Sequence, residues 1–145
     1  MAPTLELLTQ MIRHKPVSSD VAQVNALVEF LQDYLRQHDI PVFVEEMGGR
    51  KILFASTEGK KEVSILFNAH LDVVPAEEPL FEPEQRDGWL YGRGTHDCLG
   101  HSALLANLLI RVRTQPGIGV IFSTDEEIGG STTGAMVEAG YRARD

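Results

Sequence analysis

Cysteine is all but missing from this chain: Cys98 is the only one in 145 residues. One thiol excludes an intrachain disulfide framework and fits a reducing compartment. Positive charge is also short. Thirteen Lys and Arg stand against 21 Asp and Glu, and the net charge of -8 argues against a general nucleic-acid binder. Long hydrophobic runs are absent, and nothing approaches the ~20 apolar residues that span a bilayer. Met1-Ala2-Pro3-Thr4 is not a basic start followed by an apolar stretch, so no signal peptide is expected. Internal repeats and low-complexity tracts are missing too, and the expected setting is cytoplasmic. What is present is 43% hydrophobic residues, enough for an ordinary core, in a length that fits one domain over residues 1–145.

Leu5, Leu7, Leu8, Met11 and Ile12 predict a short helix that ends before Pro16. A second begins at Asp20, which can cap it with Gln23 at the capping-box position. Its apolar face is Val21, Val24, Leu27, Val28, Leu31 and Leu35. Val42 to Met47 and Lys51 to Ser56 read as strands turned by Gly48-Gly49, with Glu58-Gly59-Lys60 a further turn. Val63-Ser64-Ile65-Leu66-Phe67 has the apolar character of a strand buried on both faces, ending at His70. Pro75, Pro79 and Pro83 make 75–88 a surface loop, and Trp89-Leu90-Tyr91 a short strand after it. A helix from about Leu99 to Arg113 turns Leu104, Leu105, Leu108, Leu109 and Val112 inward. Gly119 to Ser123 is a second buried-type strand, and a last helix starts at Thr132 or Thr133 and stops at Gly140. Strands alternating with helices from Val63 onward imply an α/β fold with a mostly parallel or mixed sheet flanked by helices.

Three segments carry chemistry: His70-Leu71-Asp72, Gly92-Arg93-Gly94-Thr95-His96-Asp97, and Asp125-Glu126-Glu127-Ile128-Gly129-Gly130. Alone, each has a plain reading as a polar loop entry, a glycine turn or a solvated acidic turn. Together they follow strand candidates in order, and in open α/β sheets ligands collect beyond the carboxyl ends of strands. Imidazole and carboxylate donors suit zinc, with manganese or cobalt as substitutes. Asp72, two residues after His70, points to the same side in extended backbone and can orient a metal ligand. Adjacent glutamates point apart, so one of Glu126 and Glu127 can bind metal while the other takes a proton from water. His14 and His38 fall in helix patterns and read as surface residues.

These ordered motifs resemble the N-terminal part of the M20 metallopeptidases, a family of co-catalytic zinc hydrolases. The resemblance runs through nearly all of the chain, from its leading helices to Gly134-Ala135. It implies that His70 binds one zinc, Asp97 bridges two, and Glu127 binds the second. Glu126 is then the general base and Asp72 steadies His70. The implied reaction is hydrolysis of an amide bond in a small N-acyl amino acid or peptide.

The chain departs from the family in two ways. Where the family commonly has Asp-Met-Lys-Gly-Gly, this sequence has Asp97-Cys98-Leu99-Gly100-His101, and His96, Cys98 and His101 raise the possibility of an extra soft-ligand site. The favoured reading of Cys98 is a small, weakly polar residue packed in the core. The family's remaining ligands, and its inserted lid and dimerisation domain, have no counterpart here. The expectation is therefore a partial catalytic domain, inactive by itself, whose homodimerisation surface lies elsewhere. Alternatives are a non-catalytic interaction or regulatory module derived from the fold, and one half of a split enzyme completed by another chain.

Overall fold

Two helices lead the chain in the computed structural model, which describes residues 3–144. α1 (Pro3–Arg13) starts on a proline, whose missing N–H costs nothing in a first turn, and buries Leu7, Leu8, Met11 and Ile12. α2 (Val21–Gln37) is capped by Asp20, whose side chain accepts from the Gln23 N–H at 3.2 Å. The reciprocal half of a capping box does not form, because the Asp20 N–H already donates to the Val17 carbonyl at 2.8 Å. Val24, Leu27, Val28, Leu31 and Leu35 are buried as their spacing predicts.

β1 (Val42–Met47) and β2 (Arg50–Ser56) form an antiparallel hairpin with Met47 opposite Arg50. Gly48 and Gly49 both take positive φ, 57° and 80°, the backbone a tight two-residue hairpin turn needs. The chain continues through β3 (Glu62–Val63), β4 (Ile65–His70), a 3-10 turn at Glu78–Phe81, β5 (Glu84–Arg86) and β6 (Trp89–Tyr91). Then come α3 (Leu99–Arg111), β7 (Ile118–Ser123), α4 (Ser131–Glu138) and β8 (Arg142–Ala143). The main sheet runs β1-β2-β7-β4, antiparallel in its first two pairs and parallel between β4 and β7. β3 and β8 form a separate parallel pair. The sheet is thus mixed, its parallel part falling after Val63.

Alternation along β2 and β7 splits the core between the two sheet faces. Leu53, Ala55, Val120 and Phe122 join α1, α2 and α3 on one side. Ile52, Phe54 and Ile121 pack with Met136 of α4 and with Tyr141 on the other. The β4–β7 register pairs His70 with Ser123, so the loops after both strands leave the same sheet edge at the same level.

Three expectations need correction. The run Val63–Phe67 is not buried on both faces: the chain breaks at Ser64, and Ile65 is 52% exposed. β4 lies at the sheet edge among the described residues, so one flank has no strand to cover it. Residues 75–88 are more than a surface loop, since Phe81 is buried and β5 and β6 pair as a hairpin. The phase of α3 also differs. Ser102, Ala103, Ala106 and Leu109 face the interior, while Leu104 is 57% exposed. A helix that is apolar nearly all round gives no stripe to read, and the sheet selects the small side chains because they allow close approach.

That packing makes a prediction. Ala106→Leu should destabilise the fold by about 1–3 kcal/mol through overpacking, whereas Leu104→Ala should stay within about 0.5 kcal/mol. Denaturant unfolding of the two variants checks this, and the reverse ranking would restore the leucine-inward phase.

Candidate metal centre

His70 ends β4, and its backbone carbonyl accepts from the hydroxyl of the buried Ser102 at 2.9 Å. The ring is held at both nitrogens. Nδ1 lies 2.8 Å from the Asp72 backbone carbonyl and 3.4 Å from Asp72 Oδ1. A carbonyl can only accept, so Nδ1 carries the hydrogen and Nε2 is the nitrogen left to face the site. Nε2 is 3.0 Å from Asp97 Oδ1 and 3.7 Å from Glu126 Oε2.

Asp72 is fully buried and saturated with donors. Oδ2 accepts from the Ser18 hydroxyl at 2.7 Å and the Glu127 N–H at 3.2 Å, and Oδ1 accepts from the Glu126 N–H at 3.1 Å. Burial alone would raise its pKa, but the bonds from His70, Ser18 and the two glutamate amides hold it below the usual carboxylate range. For His70, burial disfavours the charged ring, yet its bonds to Asp72 and Asp97 prevail and raise it from 6.5 to about 9. Glu127 is pushed up by burial and by the charges of Asp97, Glu126 and Asp72, against the pull of His70.

The five residues singled out from the sequence therefore gather at one sheet edge: His70, Asp72, Asp97, Glu126 and Glu127. They form two sets that meet at His70. Donor atoms of His70, Glu126 and Glu127 lie within 4.8 Å of one another, and so do those of His70, Asp97 and Cys98. The Asp97 side chain is 71% exposed, and the Asp97–Cys98 peptide is cis. A groove of about 650 Å³ opens beside it, lined by Asn68, His96, Asp97, Cys98, His101 and two leucines of α3. The His96 and His101 rings sit edge-on with centroids 6.0 Å apart, and Cys98 groups with His70 and Asp97 instead. Cys98 is half-buried, and burial pushes its thiol up. His38 is exposed, but His14 is half-buried against Phe30, its pKa lowered by that burial.

Three supports carry no local signal in the sequence. Ser18 reads as an ordinary residue before a helix, yet its hydroxyl reaches Asp72 across 54 positions. Arg50 donates to the carbonyls of Ser18 at 2.5 Å and Thr124 at 2.9 Å, joining two of the loops. Ser102 sits mid-helix. Asp125, the first member of the acidic triplet, faces away: it accepts from the Thr132 N–H and the Ser131 and Thr132 hydroxyls at the start of α4.

The donor set fits a divalent cation. Imidazole nitrogen with carboxylate oxygen suits zinc, and among the described residues each ion pair made by Asp72, Asp97 and Glu126 ends on His70, which leaves the cluster short of positive charge.

Two predictions follow from this geometry. Asp72→Ala leaves two backbone N–H groups and the Ser18 hydroxyl without their acceptor and removes the carboxylate beside His70, and should cost about 3–5 kcal/mol; Ser18→Ala removes one donor and should cost about 1–3 kcal/mol. Equal losses in denaturant unfolding would contradict the shared network. The second concerns pH in the chelator-treated chain. Because the folded pKa of His70 is raised, its contribution to stability is complete below 6.5 and fades as pH rises through about 9. Asp72, being depressed, contributes above the usual carboxylate range and is lost in acid. The thermal midpoint should therefore fall from pH 6.5 to 9, and His70→Gln should flatten that limb and shrink the acid limb without abolishing it, because Ser18 and the two glutamate amides still hold Asp72.

A family profile described as "Peptidase family M20/M25/M40" matches residues 66–145, the stretch holding every residue of the cluster except Ser18 and Arg50. The succinyl-diaminopimelate desuccinylase of Methylococcus capsulatus is 31% identical over 88% of this chain and 36% of its own length. The acetylornithine deacetylase of Dictyostelium discoideum is 32% identical over 82% of this chain and 32% of its own. The crystal structure of human carnosine dipeptidase 1 superposes with a TM-score of 0.80 at 20% identity, over 94% of this chain and 34% of that one, a likeness of fold. The chain spans about a third of the length of the relatives it matches. By the extent of the profile match, which takes in more than half of its residues, the chain belongs to peptidase family M20/M25/M40.

Proposed function

We propose that this chain supplies the metal-binding and general-base part of a zinc-dependent amide hydrolase acting on small N-acyl amino acids or peptides. The observation that carries the reading is the convergence of His70, Asp97, Glu126 and Glu127 on one sheet edge, within a family of peptidases. His70, through Nε2, and the Asp97 and Glu127 carboxylates would hold the metal. A bound zinc ion supplies Lewis acidity, making water a better nucleophile and polarising a carbonyl.

The protein's own groups do the rest. Asp72 keeps one hydrogen of His70 on Nδ1, so that Nε2 is the nitrogen that would release its proton and offer a lone pair to an entering cation. The same carboxylate clamps the Glu126 and Glu127 amides, which fixes their backbone while the Glu126 side chain stays open to solvent. Glu126 is then free to take the proton of the attacking water and return it to the departing amine nitrogen. The groove beside Asp97, apolar along Leu104 and Leu105 and polar at Asn68, offers room for an acyl amino acid. Donors that complete a second ion, and the groups that select the substrate, would come from other polypeptide, of the same protein or of a complementing chain. No helix among the described residues is long and apolar enough to cross a membrane.

The test separates binding from chemistry. Zinc titrated calorimetrically into the chelator-stripped chain should bind, and Asp97→Ala should weaken it by about 10–100-fold. Glu126→Gln should leave zinc affinity nearly unchanged. In the protein that carries this chain, it should lower hydrolysis of N-acyl amino acids and dipeptides by roughly 10²–10⁴-fold. Undiminished turnover in Glu126→Gln would sink the base assignment.

A further inference from the structure

We infer that Cys98 is itself a ligand of this metal centre, contributing a sulfur donor beside His70 and Asp97. The inference rests on the metal reading proposed above and makes the site sulfur-containing.

Its first support is distance. The donor atoms of His70, Asp97 and Cys98 all lie within 4.8 Å of one another. On a tetrahedral zinc, a sulfur and a nitrogen or oxygen donor sit about 3.6 Å apart. Rotation about side-chain bonds closes the difference.

The second support is the backbone. Ser102, fully buried in α3, binds both ligand-bearing segments. Its hydroxyl donates to the His70 carbonyl at 2.9 Å and its N–H donates to the Cys98 carbonyl at 3.0 Å. The second of these is the first helical bond of α3, whose N-cap residue is Cys98, so the Ser102 hydroxyl fixes the helix start, and Cys98 with it, against the end of β4.

The third is access. Cys98 is half-buried rather than sealed, and it lines the groove that also reaches Asp97. When sulfur binds a divalent cation, its proton leaves to solvent and the thiolate joins the coordination shell. Thiolate is a soft donor, so the centre should prefer cadmium and zinc over manganese and magnesium.

Cobalt reports sulfur ligation directly. Co²⁺ titrated into the dilute, chelator-stripped chain should give visible bands and a near-ultraviolet sulfur-to-cobalt charge-transfer band, with an end point of one ion per chain. Cys98 is the only cysteine, so a thiolate band has one possible origin. The band should vanish in Cys98→Ser and in His70→Ala. Cys98→Ser, shown folded by circular dichroism, should also lose cadmium affinity on the order of tenfold or more while manganese affinity changes less than about threefold.

Cobalt bound without a charge-transfer band overturns the role of Cys98 and leaves the metal centre standing. Failure of both cobalt and zinc to bind overturns the two together. An end point of one cobalt per two chains means that sulfur is shared between copies, and it overturns the intrachain site. The unmodified chain decides the main question, so a variant that misfolds does not blunt the test.

Discussion

A single buried carboxylate organises the chemistry of this protein. Asp72 receives a hydroxyl from Ser18, two amides from the Glu126–Glu127 loop and, through its own backbone carbonyl, the Nδ1 side of His70. An ionised carboxylate away from water is costly unless its lone pairs are filled. That requirement couples three distant pieces of chain: the segment before α2, the exit of β4 and the exit of β7. None can move without leaving a charge or a donor unpaired in the interior. The site inherits its geometry from this demand, and Arg50 reinforces it by bonding the carbonyls of Ser18 and Thr124.

The sheet sets the level at which these pieces meet. Because β4 and β7 are parallel and in register at His70 and Ser123, their loops leave together, and the acidic loop falls beside the imidazole. The third loop arrives differently. Gly100 lets the first turn of α3 press against the Thr95 backbone, where any side chain would collide with the carbonyl oxygen. That close approach brings Asp97 and Cys98 beside His70. What results is an assembly whose backbone is rigid and whose outward carboxylates, on Asp97 and Glu126, remain exposed. Preorganised backbone with accessible donors suits the cation and substrate proposed for this site.

Much of this was readable along the chain, for reasons that differ by element. The hairpin of β1 and β2 was legible because Gly-Gly between two strand patterns has few alternatives. α2 was legible because its apolar spacing and its cap are local properties. His70, Asp97, Glu126 and Glu127 could be singled out because each follows a strand candidate, and strand ends are where α/β sheets collect ligands. α3 was misread in phase, since leucines and alanines surround it and only the sheet decides which of them are small enough to face inward. The exposure of β4 was equally hidden: its residues are apolar, and burial depends on what lies alongside.

The sequence by itself determined the order of elements, the turn chemistry and the kinds of donor available, because those depend on neighbours within a few residues. Only the tertiary structure decided that Ser18 and Ser102 belong to the centre, that Asp125 faces away from it, and that Cys98 stands with His70 and Asp97. The physical reason is range. Hydrogen bonds of Asp72 cross 54 and 55 positions, and such bonds form where burial leaves a polar group no other partner. Until the sheet brings those positions together, a serine before a helix carries no sign of its role.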